Sequence, residues 1–378
     1  MASFRAIELR VEASCAEEPW PIAKPEISVP ADRLVPPNLS DCWLKASAPS
    51  NGGSAFVLGD QPTSFKAVML VLQPDMPAAE TFRAIVRACV QHFRLNELLL
   101  VANRSAESLH QARVAIRRLR SALSLFESIA EDQEYEGLKR RLRDVSYRLG
   151  KARNLDVYIA SNTPLDTGGK ADLLPLDPDL AIRVHAARKR AYQRVLWTLR
   201  SNGFRELMQD LVAWLEGGAW RTREEPERQA ARDQPIEDFA ARILERRRRK
   251  LRQGGRHLER LSSEGRHRVR IEAKKLRYAS EFFSSLSPDR KHRARHASFL
   301  AALEELQTAL GGLNDIETGR EIAAEFAPPE PAPAGGSRGA GRTRDHLCQQ
   351  ESPTTALVRS ACKAHRRLSD AKPFWKSA

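Results

Sequence analysis

The sequence predicts an all-α protein in which one helical unit occurs twice, after a small irregular N-terminal segment. From Ala78 onward, Leu, Ala, Arg and Glu recur at helical spacing, and no proline interrupts the chain before Pro164. Aromatic residues make up only 6% of the sequence, which argues against an all-β sandwich. A basic helical segment also has a second, ungapped copy. Together, these three observations predict a helical protein built from a repeated unit.

The N-terminal segment, residues 1–77, has a different texture. Seven prolines between residues 19 and 49 interrupt any helix, and Gly52-Gly53 marks a turn. Two short apolar runs, IELRVEA at 7–13 and FKAVMLVL at 65–72, predict strands. We therefore expect this segment to be irregular, of α+β type or partly disordered.

The remainder, 78–378, is predicted to form one domain with halves at about 78–217 and 235–378. A Pro/Gly-rich insert at 327–354 contains GSRGAGRT, which resembles a phosphate-binding loop, but Arg342 replaces the lysine and no strand precedes it. We interpret the insert as a loop. Helical periodicity predicts helices over these segments: 78–103, 107–130, 134–160, 181–217, 235–262 and 355–371.

Charge is unevenly distributed in this chain of net charge +14. Residues 1–80 carry 6 basic and 10 acidic side chains, whereas the remaining 298 residues carry 56 basic and 38 acidic ones. The helical part therefore suits a polyanion: nucleic acid, an anionic membrane surface or a phosphate polymer. A solvated basic surface is the alternative. No apolar run reaches the ~20 residues of a membrane span, and no secretory signal or CxxC pair occurs, so we expect a cytoplasmic protein without membrane insertion.

The repeat joins residues 107–128 to residues 264–285 without gaps. Further along, LGKARNLDV at 149–157 resembles LGGLNDI at 310–316. Two copies of a helical unit usually pack about a pseudo-twofold axis. These residues occupy matching positions in the two copies: His110 with His267, Arg113 with Arg270, Arg117 with Lys274, Arg118 with Lys275, Arg120 with Arg277, and Phe126 with Phe283.

One sector of the repeated helix is basic. At about 100° per residue, His110, Arg113, Arg117 and Arg120 share roughly a quarter of the helix surface. Like charges at this spacing repel, and no carboxylate lies between residues 108 and 126 to relieve them. A line of phosphates is the natural complement, because Arg binds phosphate oxygens bidentately. The adjoining sector is predicted to be buried: Ala112, Ala115, Ile116, Leu119, Leu123 and Phe126, with Ala273, Leu276 and Phe283 in the second copy.

Other polar groups give weaker signals. His292 and His296 lie four residues apart but among arginines and without a metalloprotease glutamate, so a surface role is favoured over a metal site. The polar residues after each Leu-Gly are interpreted as helix-end caps that pair with the basic helix, in preference to ligand contacts. These residues are Arg153, Asn154, Asp156, Asn314 and Asp315.

Taken together, the twice-repeated His-x-x-Arg-x-x-x-Arg/Lys-Arg/Lys-Leu-Arg, the two Leu-Gly motifs and the terminal AKPFW at 371–375 resemble the CHAD domain, the conserved histidine α-helical domain. The resemblance covers roughly 78–378. It implies two pseudo-symmetric four-helix bundles with a basic central pore or groove that binds inorganic polyphosphate without catalysis, cofactor or metal, and association with polyphosphate granules. It would place these residues along the pore: His110, Arg113, Arg117, Arg120, His267, Arg270, Lys274 and Arg277. Secondary contacts are predicted for Arg118, Arg153, Arg188 and Lys275.

CHAD domains often follow a CYTH triphosphatase domain, and AIELR at 6–10 resembles the opening Glu-x-Glu-x-Lys strand of that domain. Ala6 and Arg10 replace the first Glu and the Lys, and too few residues follow for the closed tunnel of that family. We interpret 1–77 as a shortened, degenerate CYTH-like remnant. Two alternatives stay open: triphosphatase activity, and nucleic-acid binding, which the lack of aromatics in the first basic sector disfavours, with only Tyr278 nearby in the second.

Overall fold

The computed structural model of the protein describes residues 63–163, 177–286, 289–327 and 353–375. The predicted strand at 7–13, the CYTH-like motif at 6–10 and the loop-like motif at 336–343 lie outside the described residues.

Within these ranges the chain is all-α, as predicted, and contains eleven α-helices and three short 3₁₀ turns. The helices are α1 (Ala78–Asn103), α2 (Ala106–Leu125), α3 (Glu127–Ala130), α4 (Tyr135–Asn162), α5 (Pro178–Arg200), α6 (Asn202–Gly217), α7 (Pro226–Asp233), α8 (Ile236–Gly254), α9 (Ser263–Phe282), α10 (Arg290–Phe326) and α11 (Pro353–Asp370).

The strand predicted for FKAVMLVL is wrong. Residues 64–73 belong to no strand or helix, and helix side chains take the place of a partner strand. The backbone N–H of Phe65 donates to Asn96 Oδ1 at 2.9 Å, and that of Leu72 donates to Ser285 Oγ at 2.9 Å. An apolar run thus satisfies its backbone polar groups against a helical surface instead of a sheet.

The segment 181–217 is helical, as predicted, but it divides into two helices at Ser201. This residue has extended backbone angles (φ −71°, ψ 151°), and its side chain accepts a hydrogen bond from the N–H of Phe204 at 3.2 Å. It therefore caps the start of α6 and separates it from α5. The local sequence signal for this break is the cluster Ser201-Asn202-Gly203, since the apolar periodicity continues on both sides.

The helices pack mainly against their neighbours in sequence. In the first half α1 contacts α2, α2 contacts α4, and α4 contacts α5, while in the second half α8, α9, α10 and α11 contact one another in the same succession. Across the halves, α1 contacts α8, α2 contacts α9, and α4 contacts α10. Each of these helices thus meets its own counterpart, which is the pattern that a pseudo-twofold axis produces.

Two reciprocal hydrogen bonds join the starts of α1 and α8. The N–H of Ala78 donates to Gln234 O at 3.0 Å, and the N–H of Ile236 donates to Met76 O at 2.8 Å. Each helix follows a proline, and Pro77 and Pro235 form an isolated antiparallel bridge. The bridge ties the two halves together where their helices begin.

The buried stripe predicted for the repeated helix is confirmed in both copies. All nine predicted residues are at most 1% exposed. Ser105 and Ser262, which match in the repeat, cap α2 and α9 by accepting bonds from the N–H groups of Ser108 and Gly265. The rings of Phe126 and Phe283 meet across the halves at 6.2 Å. The apolar face of each basic helix therefore faces the core and leaves the basic face free to line a cavity.

Candidate functional site

A cavity of about 780 Å³ lies among α2, α4, α9 and α10. Five of the eight predicted pore residues line it: His110, Arg113, Arg117, His267 and Arg270. They come from α2 and α9, so the cavity brings together the basic sectors of the two copies. A smaller cavity of about 120 Å³ adjoins it and shares His267 and Arg270.

Arg113 is the most strongly confined of these cations. Its guanidinium packs on Gly150 of α4, where an added Cβ would lie 3.8 Å from Arg113 Nε. Burial, together with the nearby Arg117 and Arg270, lowers the pKa of Arg113 to about 10. Among the described residues, its buried Nε has no hydrogen-bond partner. A donor held in this way is free to meet an anion.

Arg270, the counterpart of Arg113, has one polar neighbour. Its Nη1 donates to Asn314 Oδ1 at 3.2 Å, and His267 Nδ1 lies 3.2 Å from the same oxygen. Burial lowers the pKa of Arg270, against the opposing effect of Asp315. Within the described part of the chain its Nε, like that of Arg113, is buried without a partner. Asn314 therefore positions both side chains without neutralising the charge of Arg270.

Lys274 lies beside the cavity and not in its lining. Burial, followed by the nearby Arg117, Arg270 and Arg113, lowers the pKa of Lys274 to about 6. No carboxylate of the described residues lies within 4.0 Å of its amino group. Lys274 is thus mostly neutral at pH 7 in the free protein.

The two predicted histidines differ in their surroundings. Burial and Arg153, followed by Arg117 and Arg113, lower the pKa of His110, which is half-buried. His267 is exposed and contacts Asn314. The first ring is therefore held in a cationic environment, whereas the second lies at the mouth of the cavity.

Arg120 and Arg277 lie outside the larger cavity. Arg120 lines a separate cavity of about 290 Å³ with Arg113, Arg143 and Lys151, and burial followed by Arg143 lowers its pKa. Arg277 instead donates to Glu281 at 2.7 Å. Burial alone would lower the pKa of Arg277, but the bond with Glu281 outweighs it and the pKa is raised.

Of the predicted secondary contacts, only Arg153 lines the larger cavity. Arg118 pairs with Glu281 and lies 4.7 Å from the centre of the Phe282 ring. The other two have carboxylate partners: Arg188 with Asp156 at 2.6 Å, and Lys275 with Glu272 at 3.1 Å.

The helix-end interpretation of the Leu-Gly motifs is wrong. Both motifs lie inside long helices, α4 and α10, and Arg153, Asn154, Asn314 and Asp315 line the cavity from there. The helices continue past these residues because apolar positions recur beyond them. The pairing with the basic helix is seen for Asn314.

The residues that α4 and α10 contribute to the wall of the larger cavity were not predicted from the sequence. This wall contains Val157, Tyr158, Ile316, Arg320, Ile322 and Ala323. Residues 149–157 and 310–316 form a repeat in the sequence. The two helical turns that follow each copy were therefore the sequence signal that could have revealed this wall. Periodicity alone could not show which of these apolar residues face a cavity instead of the core.

The site combines several cations with one carboxylate, that of Asp315, and with amide and apolar groups. This arrangement can bind an extended anion through donated hydrogen bonds. In the described part of the chain no group of three or more His, Cys, Asp or Glu side chains is placed to hold a metal ion. No helix of that part is long and apolar enough to cross a bilayer.

Comparison with known proteins places these helices in context. A family model described as the CHAD domain matches residues 84–324, a range that contains every residue of the larger cavity's lining. The crystal structure of the CHAD domain from the plant Ricinus communis is 26% identical, with a TM-score of 0.58, and the match covers 82% of this chain and 93% of that one. PptA from Streptomyces chartreusis is 20% identical, with a TM-score of 0.44, over 78% of this chain and 96% of that one. No curated protein matches the sequence.

Proposed function

Because the chain belongs to the CHAD domain family, we propose that the cavity among α2, α4, α9 and α10 binds inorganic polyphosphate and does not cleave it. The observation that carries this proposal is the pair of matched arginines, Arg113 and Arg270. Both residues line the cavity, and within the described residues the buried Nε of each has no hydrogen-bond partner. Buried donors are seldom left unpaired without a functional reason.

The energetics favour a polyanion over a solvated basic surface. Confining like charges costs free energy, as the lowered pKa values of Arg113 and Lys274 indicate. A bound chain of phosphates offsets this cost, because its oxygens accept a hydrogen bond from each cationic donor. Once Lys274 is protonated, Lys274 and Arg117 would each place a positive charge beside the same polyanion. The proposed binding residues are therefore His110, Arg113, Arg117, His267, Arg270 and Lys274, with Arg120 at the separate cavity of about 290 Å³.

The test is direct binding of long-chain polyphosphate to the purified full chain across a salt series. Binding that releases counterions weakens steeply as salt rises, with a slope that grows with the number of phosphates neutralised. We expect such a steep loss of affinity between low and physiological salt. An affinity that does not change with salt would contradict the proposal.

Nucleic acid is the alternative polyanion, and a competition experiment distinguishes it from polyphosphate. Duplex and single-stranded DNA are added to the polyphosphate complex at equal phosphate concentration. We expect neither to displace polyphosphate, since the basic sector of α2 carries no aromatic side chain on which bases could stack. Displacement by DNA would favour a nucleic-acid-binding protein.

A further inference from the structure

The wall that α4 and α10 contribute changes character along its length. On α4, Arg153 and Asn154 are followed by Val157 and Tyr158 one turn later, and then by Ser161 and Asn162. From Arg153 to Asn162 the helix rises about 13 Å. The cavity thus has a cationic end and, two turns away, an end that offers apolar and hydrogen-bonding groups.

The same gradient occurs on α10. Asn314 and Asp315 lie near the arginines, and Ile322 and Ala323 line the cavity two turns further along. Ile322 and Tyr158 belong to one buried apolar cluster with Leu155, Val184 and Ala187. The far end of the cavity is therefore bounded by this apolar cluster, with the exposed Ser161 and Arg320 beside it.

A glycine leaves this apolar end open. Gly319 lines the cavity, and a Cβ added there would lie 3.7 Å from the ring edge of Tyr158. Asn162 donates to Tyr158 O at 2.7 Å through its amide nitrogen, so its carbonyl oxygen is left to accept a hydrogen bond. Ser161, which is exposed, adds a hydroxyl. These groups suit a flat heterocycle and a sugar.

We propose that the cavity also accepts a nucleoside triphosphate, with its phosphates against Arg113, Arg270 and Arg153 and its base and ribose against the wall formed by Val157, Tyr158 and Ile322. The proposal rests on the proposed function, because the same arginines would hold the phosphates. An inorganic phosphate chain gains nothing from an apolar wall, which cannot replace its lost hydration. A volume of about 780 Å³ lies within the range of small-molecule sites.

The experiment compares ATP with inorganic tripolyphosphate by calorimetry on the full chain in EDTA-containing buffer. The two ligands have the same number of phosphates, and tripolyphosphate carries the higher negative charge, so charge alone favours tripolyphosphate. We expect ATP to bind about tenfold more tightly, the factor that stacking of one base contributes. ATP binding no more tightly than tripolyphosphate would overturn the inference.

The decisive variant is Gly319→Leu, which fills the apolar end without touching a cation. We expect it to remove the advantage of ATP and to leave tripolyphosphate affinity within about twofold. Gly311→Leu on the same helix is the matched control, because Gly311 is outside the lining and has nothing within 4 Å of an added Cβ. An ATP advantage that survives Gly319→Leu would also overturn the inference. Failure of the wild type to bind either tripolyphosphate or long-chain polyphosphate would instead contradict the proposed function.

Discussion

The basic helices α2 and α9 are copies of one sequence but differ in how their charges are balanced. Between residues 108 and 126, α2 has no carboxylate. In contrast, α9 carries Glu272, which lies within 3.4 Å of three cations, and Glu281, which pairs with Arg277 and with Arg118 of the first copy. The carboxylates of α9 thus neutralise part of the positive charge of α9 and part of that of α2.

This difference shows that a repeated motif does not give equivalent sites. Arg120 and Arg277 occupy matched positions, yet the pKa of Arg120 is lowered by burial and nearby Arg143, whereas bonding to Glu281 raises that of Arg277. A cation that already has a carboxylate partner gains less from a phosphate, because the new contact must replace the old one. Affinity should therefore depend more on α2 than on α9.

The largest expected effect comes from comparing Arg113→Ala with Arg277→Ala. Loss of Arg113 removes a buried, unpaired donor, and a charge-assisted contact contributes about 1–3 kcal/mol. We expect polyphosphate affinity to fall roughly ten- to a hundredfold for Arg113→Ala, and by less than about threefold for Arg277→Ala. Fluorescence anisotropy with labelled polyphosphate measures both. Equal losses would show that the carboxylate on α9 does not matter.

The next effect concerns pH and Lys274. Its pKa of about 6, against an ordinary value of 10.5, means that a bound polyanion must return a proton to it. We expect affinity to rise as pH falls from about 8 to 6, and this rise to be much smaller in Lys274→Met. His110, whose pKa is also lowered, would account for the remainder. An unchanged pH profile in Lys274→Met would exclude the lysine.

The same lysine makes a prediction for the free protein. Between pH 6 and 10.5 the unfolded chain holds a proton that the folded chain does not, so Lys274 lowers stability at pH 7 and this cost shrinks as pH rises. Lys274→Met should therefore melt at a higher temperature than the wild type at pH 7. The gain should be smaller at pH 9. Thermal unfolding at both values checks the sign.

A smaller effect is expected from the two Leu-Gly glycines. Gly150 supports the guanidinium of Arg113, whereas an added Cβ at Gly311 meets nothing within 4 Å. Gly150→Leu should displace Arg113 and weaken polyphosphate binding severalfold, and Gly311→Leu should leave it unchanged. Circular dichroism of both variants controls for folding. Similar binding by the two variants would mean that Gly150 does not position Arg113.

The smallest effect is that of Glu281→Gln. This change removes the negative charge that pairs with both Arg118 and Arg277. We expect a loss of about 1 kcal/mol in the free energy of unfolding. Polyphosphate affinity should increase slightly, since Arg277 becomes available. Denaturant unfolding and anisotropy on the same preparation separate the two outcomes, and weaker binding would contradict the comparison of the two helices.

Much of the fold followed from periodicity. The apolar positions of α2, from Ala112 to Phe126, recur every three or four residues, which fixed both the buried stripe and the basic sector. The pairing of Arg118 with Glu281 could not be read in this way, because it joins residues 163 apart in sequence. The extended run at 65–72 was misread because β-branched apolar residues favour strands, whereas here Val68 and Val71 are exposed and Leu72 is buried.

Most helices of the described residues pack on a neighbour in sequence, so pairs such as α1–α2 and α10–α11 can form before the two halves meet. Arg113 and Arg270 are 157 residues apart and approach each other only when α2 docks on α9. Their repulsion therefore opposes the step in which the two helices dock. A polyanion that collects around the nascent basic chain would relieve this repulsion and act as a template for assembly. Refolding is thus expected to be faster with polyphosphate present than without it.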